Sequence, residues 1–332
     1  MHILVTGVAG FIGFSLAKKL IKNFKVIGID NLNSYYSVKL KKKRLSQLKD
    51  NNFKFYKFDI QKKNKLLGVF KKHKITHVIH LAAQAGIRYS ITNPESYLRS
   101  NLIGTFSILE CCKIYKVKNL LIASSSSVYG DTKSKNFLEE VSTDNPLQFY
   151  AATKKSNEVM AYSYACLYKI PTICMRIFTV YGPWGRPDMA IYKFTKNIFE
   201  NKVINIFNNG NHSRDFTYID DAVSMIMGLL KKPPKIEKIY KGKFSIKEKQ
   251  SPYKIFNITS GQNIKITKCL NQIEKSVGKK ARIKYLTRQA GDMITTKGSQ
   301  NKIKRYIKIK KKTSFKDGIY KFILWYREYS KK

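Results

Sequence analysis

The sequence predicts an α/β fold, an open, doubly wound parallel sheet followed by a smaller C-terminal α/β lobe. Three observations predict it. Short apolar runs that read as buried strands recur through the first half of the chain and alternate with helical periodicity. The first run ends in a turn with glycines at three-residue steps, Gly7, Gly10 and Gly13, which marks a tight strand-to-helix connection. The chain has 332 residues, 43% of them hydrophobic, enough for one such domain plus a lobe.

The elements follow in order. Residues 2–5 form the first strand, and a helix begins at about Gly10. Residues 24–29 form the second strand and end at Asp30. Residues 53–58 alternate in polarity and end at Asp59-Ile60, and residues 76–81 run into Ala82-Ala83. Residues 95–115 read as a long helix. Residues 120–123 read as a buried strand, with the four serines 124–127 at its carboxyl end. Asn145-Pro146 marks a turn, and a second long helix covers 150–168. The strand and helix alternation continues to about Tyr181. Beyond it, shorter segments punctuated by Pro and Gly predict the lobe, with a strand at 203–207 closed by Asn208-Asn209-Gly210. Residues 222–230 predict a helix returning to the main domain, stopped by Lys231-Lys232-Pro233-Pro234. The Lys-rich stretch 235–252 reads as a mobile surface loop, and there is no internal repeat. The expected domains are 1–180, with 215–232 returning to it, and 181–332 as mainly the lobe.

The glycine turn carries the first chemical signal. Gly7 permits a sharp turn, Gly10 lets backbone approach a pyrophosphate, and Gly13 lets the helix pack closely on the sheet. The helix N-terminus then offers free N–H groups to an anion. This G-x-x-G-x-x-G spacing differs from the G-x-G-x-x-G fingerprint, and taken alone it also fits a turn without a ligand. Asp30, seventeen residues after Gly13, adds to it. A carboxylate there can accept hydrogen bonds from adenosine ribose hydroxyls and would repel a 2′-phosphate, so NAD is expected over NADP. Asp59 and Ile60 are placed against the adenine. Ala82 and Ala83 are small enough to let the cofactor lie close. The expectation is a Rossmann-type domain.

Tyr150 and Lys154 carry the second signal. Residues four apart share a helix face, and Ser125 lies at a strand's carboxyl end, where open α/β sheets bind ligands. Ionising a tyrosine at neutral pH costs about 4 kcal/mol. A neighbouring ammonium and a cofactor cation both lower that cost. The trio therefore suits proton abstraction from an alcohol, with Ser125 binding the reacting oxygen and Lys154 also holding a ribose. Tyr-x-x-x-Lys arises easily by chance in a chain with 21 Tyr and 54 Lys; the serine strand end and the helix start single out this pair.

These residues resemble the extended short-chain dehydrogenase/reductase family, and within it the NAD-dependent nucleotide-sugar 4-epimerases, nearest to the UDP-glucuronate 4-epimerases. Four stretches carry the resemblance, namely 81–90 (LAAQAGIRYS), 150–155 (YAATKK), 178–190 (FTVYGPWGRPDMA) and 214–221 (RDFTYIDD). It covers nearly the whole chain and thins after about Asp292, where Thr295-Thr296-Lys297-Gly298 departs from the family's usual Tyr-Ala-Asp run. The resemblance implies that Tyr150 removes the 4-hydroxyl proton while hydride leaves C4. The 4-keto sugar then turns over in the site, and hydride returns to its other face. It adds Phe11, Ile12, Asn31, Asn33, Leu81, Gln84, Asn101 and Phe178 to the expected NAD contacts. It places Arg214 at the nucleotide diphosphate and Asp292 at the uridine ribose. For Arg214 a surface ion pair with Asp215 or Asp221 is the competing reading.

Three positions bear on the reaction. Related dehydratases place Asp-Glu where this chain has Ser126-Ser127, related decarboxylases carry a Glu in that segment, and galactose-type epimerases have Asn where this chain has Thr179. Hydroxyls at 126, 127 and 179 suit a C5 carboxylate, and Arg88 and Arg186 offer positive potential. The 4-keto uronate is a β-keto acid prone to lose carbon dioxide, and these hydroxyls are expected to hold its carboxylate against that loss. The expected function is therefore C4 epimerisation of UDP-glucuronate for surface polysaccharide precursors. A 4-epimerase of UDP-glucose or UDP-N-acetylglucosamine, a decarboxylase or dehydratase, and a non-catalytic nucleic-acid binder remain as alternatives in that order.

The net charge is +43, with 54 Lys against 10 Arg. Base-reading proteins favour Arg forks and interleaved aromatics; here Lys is scattered, with runs at 41–44 and 310–312. Compositional drift is the preferred reading, and no specific nucleic-acid partner is expected, although such a field should concentrate an anionic substrate. Five cysteines without a C-x-x-C pair point to a reducing compartment. His77 and His80 lie three apart on a strand, a poor geometry for a shared metal, and no metal is expected. A chain starting on a strand, without an apolar run of about 20 residues, is expected to be cytoplasmic and not inserted in a membrane. From the resemblance, the two long helices are expected to pair across a two-fold axis into a homodimer.

Overall fold

The computed structural model describes residues 1–130, 132, 134, 136–236, 251–288, 293–309 and 312–331. Its strands are β1 (His2–Thr6), β2 (Lys25–Asp30), β3 (Phe53–Lys57), β4 (His77–His80), β5 (Asn119–Ser125), β6 (Thr172–Ile177), β7 (Thr179–Tyr181), β8 (Val203–Phe207), β9 (Ser213–Tyr218), β10 (Tyr253–Ile258), β11 (Asn263–Lys265) and β12 (Arg282–Leu286). Seven of them build one sheet in the order β10-β6-β5-β4-β1-β2-β3, every pair parallel.

Strand periodicity sorts the apolar side chains onto two faces. Ile3 and Val5 pack with Phe14, Leu16, Ala17, Val223 and Ile226 of the helices Phe11–Leu20 and Ile219–Lys231. Leu4, Val78 and Leu120 face the opposite layer, with Leu66 and Phe70 of helix Lys63–His73 and Ile108 and Leu109 of helix Gly104–Ile114. Each fully buried Leu, Ile or Phe contributes roughly 1.5–3 kcal/mol of transfer free energy. β3 is the edge strand, half-buried, which accounts for its alternating polarity.

From β1 the chain builds β2 and β3 on one side, then crosses to place β4, β5 and β6 on the other. The carboxyl ends of β1 and β4 therefore flank the point where winding reverses, the place where such sheets bind ligands. The lobe carries β8 paired with β12 and a three-stranded sheet of β11, β9 and β7. Besides the returning helix Ile219–Lys231, β10 also joins the main sheet, in parallel register with β6.

The first long helix is composite. Pro94 opens it, residues Leu98–Ile103 are wound as a π-helix, and an α-helix completes it to Ile114. The second runs from Phe149 to Tyr168. Both leave apolar side chains exposed, including Leu98, Ile103, Phe106, Val159, Tyr162 and Leu167. No helix among the described residues is long and apolar enough to cross a membrane. All five cysteines are free.

Candidate active site

One cavity of about 850 Å³ runs along the carboxyl edge of the sheet and out between the sheet domain and the lobe. Its volume is at the upper end of small-molecule sites, roughly 300–1,000 Å³.

The glycine turn forms its floor. Gly7 has φ +71°, and a Cβ there would lie 2.8 Å from the backbone nitrogen of Ala82. A Cβ on Gly13 would lie 2.2 Å from the carbonyl oxygen of Gly7. Any side chain at either position would force apart the ends of β1 and β4 or lift the helix off the turn. Thr6 and His80 fasten the same junction. Thr6 Oγ1 accepts the N–H groups of Leu81 and Ala82 at 3.2 and 3.1 Å, so its proton goes to His80 Nδ1 at 2.7 Å. His80 then donates from Nε2 to Thr105 Oγ1 at 3.0 Å. Burial, with Lys154 a lesser contributor, pushes the His80 pKa down to about 3, so the ring is neutral.

The helix Phe11–Leu20 opens at Gly10 without a side-chain cap, leaving first-turn N–H groups for a ligand. Asp30, 9% exposed, accepts from the Ala9 and Leu32 amides at 3.1 and 2.8 Å. Burial raises its pKa, while those amides and the nearby Lys41 and Arg44 pull it back. Asn31 donates to Asp59 at 2.8 Å. Phe11, Ile12, Asn33, Asp59, Ile60, Leu81, Ala82, Ala83, Gln84 and Phe178 also line the cavity. The uncapped turn, the carboxylate at the end of β2 and the small residues after β4 fit a dinucleotide of the NAD type, as residues that would hold its pyrophosphate, ribose and base.

At the inner end stand Ser125, Tyr150 and Lys154. Ser125 Oγ bonds Ser127 Oγ and receives the Ser127 amide, both at 3.1 Å, which fixes the turn after β5. Burial raises the Tyr150 pKa; a hydrogen bond with Ser125 and the charge of Arg186 lower it. Lys154 is 4% exposed, donates to the Ala123 carbonyl at 2.8 Å, and is pushed down to about 8 by burial. The charge of Arg186 thus adds to that of Lys154, the cation the sequence placed beside the phenol. Beneath the turn, Ser124 bonds Glu158 at 2.5 Å, and Glu158 pairs with Arg176 at 2.9 Å, both almost fully buried.

Ser126, Ser127 and Thr179 line this end with Arg186. Arg186 pairs with Asp188 through two hydrogen bonds, 3.0 and 2.5 Å, so its charge is largely matched within the site. Arg88 lies over the Phe207 ring at 4.8 Å, joining the sheet domain to the lobe. Arg214 lines the cavity and donates to the carbonyls of Ser213 and Ile294. Asp215, one of its expected partners, is fully buried and accepts instead from Thr259, Ser260, Gly261 and Gly298.

Asn101, expected among the NAD contacts, is fully buried, and its side-chain amide binds both the N–H and the carbonyl of Gln84 and also Thr153. The π-helical winding brings it there, so it positions the residue beside Lys154. Asp292, and the loop expected at 235–252 across 237–250, lie outside the described residues. Among the described residues there is no cluster of His, Cys, Asp and Glu suited to a metal.

Sequence reasoning missed Tyr35, Tyr36, Lys41, Asp188, Lys193 and Phe207, which all line the cavity. Lys41 is 4% exposed, with Nζ 2.7 Å from both oxygens of Asn33 and 4.5 Å over Tyr36. The run 41–44 reads as surface charge, yet Leu40, Lys41 and Arg44 form the buried side of helix Val38–Ser46. Helical spacing inside the charge run was the available signal.

The comparisons agree with this geometry. The model of the NAD dependent epimerase/dehydratase family matches residues 3–246. The chain is 47% identical over 334 residues to Protein CapI of Staphylococcus aureus, covering 100% of both chains. It is 41% identical over 330 residues to the UDP-glucuronate 4-epimerase of Thermodesulfobacterium geofontis, covering 98% of this chain and 96% of the relative. It superposes on the UDP-glucuronic acid 4-epimerase of Bacillus cereus, solved with UDP-glucuronic acid and NAD, with a TM-score of 0.89 at 32% identity, covering 99% of this chain and 100% of that one. The chain belongs to the NAD dependent epimerase/dehydratase family.

Proposed function

We propose that this protein is a UDP-glucuronate 4-epimerase that interconverts UDP-glucuronate and UDP-galacturonate. The observation that carries the proposal is the inner end of the cavity. There Tyr150 and Ser125 line the wall together, beside the hydroxyls of Ser126, Ser127 and Thr179. The carboxylate lining that end among the described residues, Asp188, is tied to Arg186. Dehydration needs an acid and base pair next to the reacting carbons, and none stands free here. The hydroxyls suit hydrogen bonding of a sugar carboxylate.

NAD, when bound, would accept the hydride from C4 and return it. Tyr150 takes the 4-hydroxyl proton and, once the 4-keto sugar has presented its other face, returns it to the same oxygen. Ser125 holds the reacting oxygen in line with the phenol. Arg186 favours the phenolate, and Lys154, presented from the Ala123 carbonyl, would hold the ribose of the nicotinamide. Ser126, Ser127 and Thr179 hold the C5 carboxylate, and Arg214 binds the diphosphate. No step touches C1, so the product keeps its UDP leaving group and can serve as a glycosyl donor for polysaccharide assembly.

We further infer a homodimer in the cytoplasm. Leu98, Ile103 and Phe106 on one long helix and Val159, Tyr162 and Leu167 on the other are 44–67% exposed, and a second copy would cover them. Light scattering reads this directly, with a monomer mass at assay concentration refuting the dimer. For the activity, a proton NMR time course of UDP-glucuronate with purified protein should show UDP-galacturonate rising to an equilibrium mixture without a pentose. UDP-xylose would reassign the enzyme as a decarboxylase. Turnover of UDP-glucose alone would move the reading to a neutral-sugar epimerase.

A further inference from the structure

Arg44 is fully buried and none of its hydrogen bonds goes to a carboxylate. A buried cation with no carboxylate hydrogen-bonded to it is costly unless every N–H is satisfied. Here every N–H is. Nη1 donates to the Ala9 carbonyl at 2.9 Å and to the Tyr36 hydroxyl at 2.8 Å. Nε and Nη2 both donate to the Trp184 carbonyl, at 3.2 and 2.6 Å, and Nη2 also reaches the Gly185 carbonyl at 3.1 Å.

The acceptors belong to two different parts of the cavity wall. Ala9 lies inside the glycine turn, and its own N–H is held by Asp30 at 3.1 Å. Its peptide groups are thus fixed from both sides. Trp184 and Gly185 immediately precede Arg186, which lines the sugar end of the cavity with Tyr150. Trp184 has φ +65°, a left-handed conformation that a bulky residue holds only when its surroundings impose it. The fork of Arg44 on its carbonyl is one such restraint. The packing of its ring on Phe14 and Trp325, at 5.6 and 5.5 Å, is another.

We propose that Arg44 is a positioning residue that couples the phosphate-binding turn to the Arg186 turn, so that the dinucleotide and sugar ends of the cavity take up their binding shapes together. The guanidinium behind the Ala9 carbonyl, none of whose hydrogen bonds goes to a carboxylate, also favours a dianionic pyrophosphate in front of it. The inference rests on the reading of the cavity as a NAD and UDP-sugar site. It goes beyond that reading by assigning communication between the two ends to one side chain that touches neither ligand.

The test uses ligand-free full-length protein and binding rather than turnover. Titration calorimetry is run separately with ADP-ribose, which reaches the glycine turn but has no nicotinamide, and with UDP-glucuronate, on wild type, Arg44→Gln and Arg44→Lys. Arg44→Gln should weaken both ligands at least tenfold. Arg44→Lys keeps the charge behind Ala9 but lacks the fork on Trp184 and Gly185, so it should weaken UDP-glucuronate more than ADP-ribose. Unchanged affinity for either ligand in folded Arg44→Gln, or for UDP-glucuronate in Arg44→Lys, overturns the coupling. Hydrogen exchange on the wild type covers the case in which neither variant folds: ADP-ribose should slow exchange at residues 184–186 as well as 7–13, and protection confined to 7–13 overturns it. A wild type that binds neither ligand removes the reading of the cavity and this inference with it. Wild-type binding with unaffected variants removes only the role of Arg44.

Discussion

His80 should make this protein acid-labile, and the size of the effect follows from its surroundings. The ring is 2% exposed, between Thr6 and Thr105, and its pKa falls from 6.5 to about 3 because burial disfavours the imidazolium. The unfolded chain therefore takes up a proton near pH 6.5 that the folded protein refuses until about pH 3. Stability from this group is fully present above pH 6.5 and is lost as pH falls through that window. One proton of difference gives a slope of about 1.4 kcal/mol per pH unit, and the whole window is worth on the order of 5 kcal/mol. Total stability is typically about 5–15 kcal/mol, so the loss is large. His80→Gln keeps amide hydrogen bonding without titrating. Urea unfolding followed by circular dichroism at pH 7, 6, 5 and 4 should give a stability curve for the variant that is shallower than wild type by about 1.4 kcal/mol per pH unit below pH 6. Other groups titrate in both proteins and drop out of the difference. Parallel curves would refute the reasoning and mean that the imidazolium is accommodated in the fold.

Three further outcomes are expected. Tyr150→Phe removes the proton acceptor, so turnover should fall by roughly 10²–10⁴-fold or more while UDP-glucuronate affinity by calorimetry stays within a few-fold; retained turnover would move the base elsewhere. Thr179→Ala should raise the fraction of carbon dioxide released per epimerisation, measured by trapping labelled carbon dioxide from carboxyl-labelled substrate; an unchanged fraction would detach Thr179 from the carboxylate. With a net charge of +43, KM for the anionic substrate should climb between 20 and 300 mM NaCl while kcat holds, and a flat KM would show that the field does not steer the substrate.

The sheet and the ends of its strands were legible because their signals are local. The apolar runs at 2–5 and 120–123 admit little but buried strands, and Gly7 and Gly13 stand where a Cβ would strike backbone at 2.8 and 2.2 Å. What escaped reading depends on partners distant in sequence. β10 contains Asn257, a poor strand-core residue, yet it is fully buried because Tyr129 donates to it and it donates to the Phe137 carbonyl. Asn101 sits in a π-helical segment and binds Gln84 and Thr153. No pattern in 98–103 announces that winding. Lys41 and Arg44 were hidden in a run of surface-like charge, and only the buried side of their helix reveals them. The pairing of Arg186 with Asp188 needed no long-range information, since only Pro187 separates them. The wider point is that charge adjacent to charge in a binding segment can be self-neutralising.

The central claim is that oxidation and reduction occur at the same carbon of the same sugar, with Tyr150 moving the proton. The most direct measurement is to give the enzyme UDP-glucuronate deuterated at C4 in ordinary water and to locate the label in the product by NMR. The account predicts UDP-galacturonate with deuterium retained at C4 and none released to solvent. Deuterium lost to water, or found at another carbon, would contradict it.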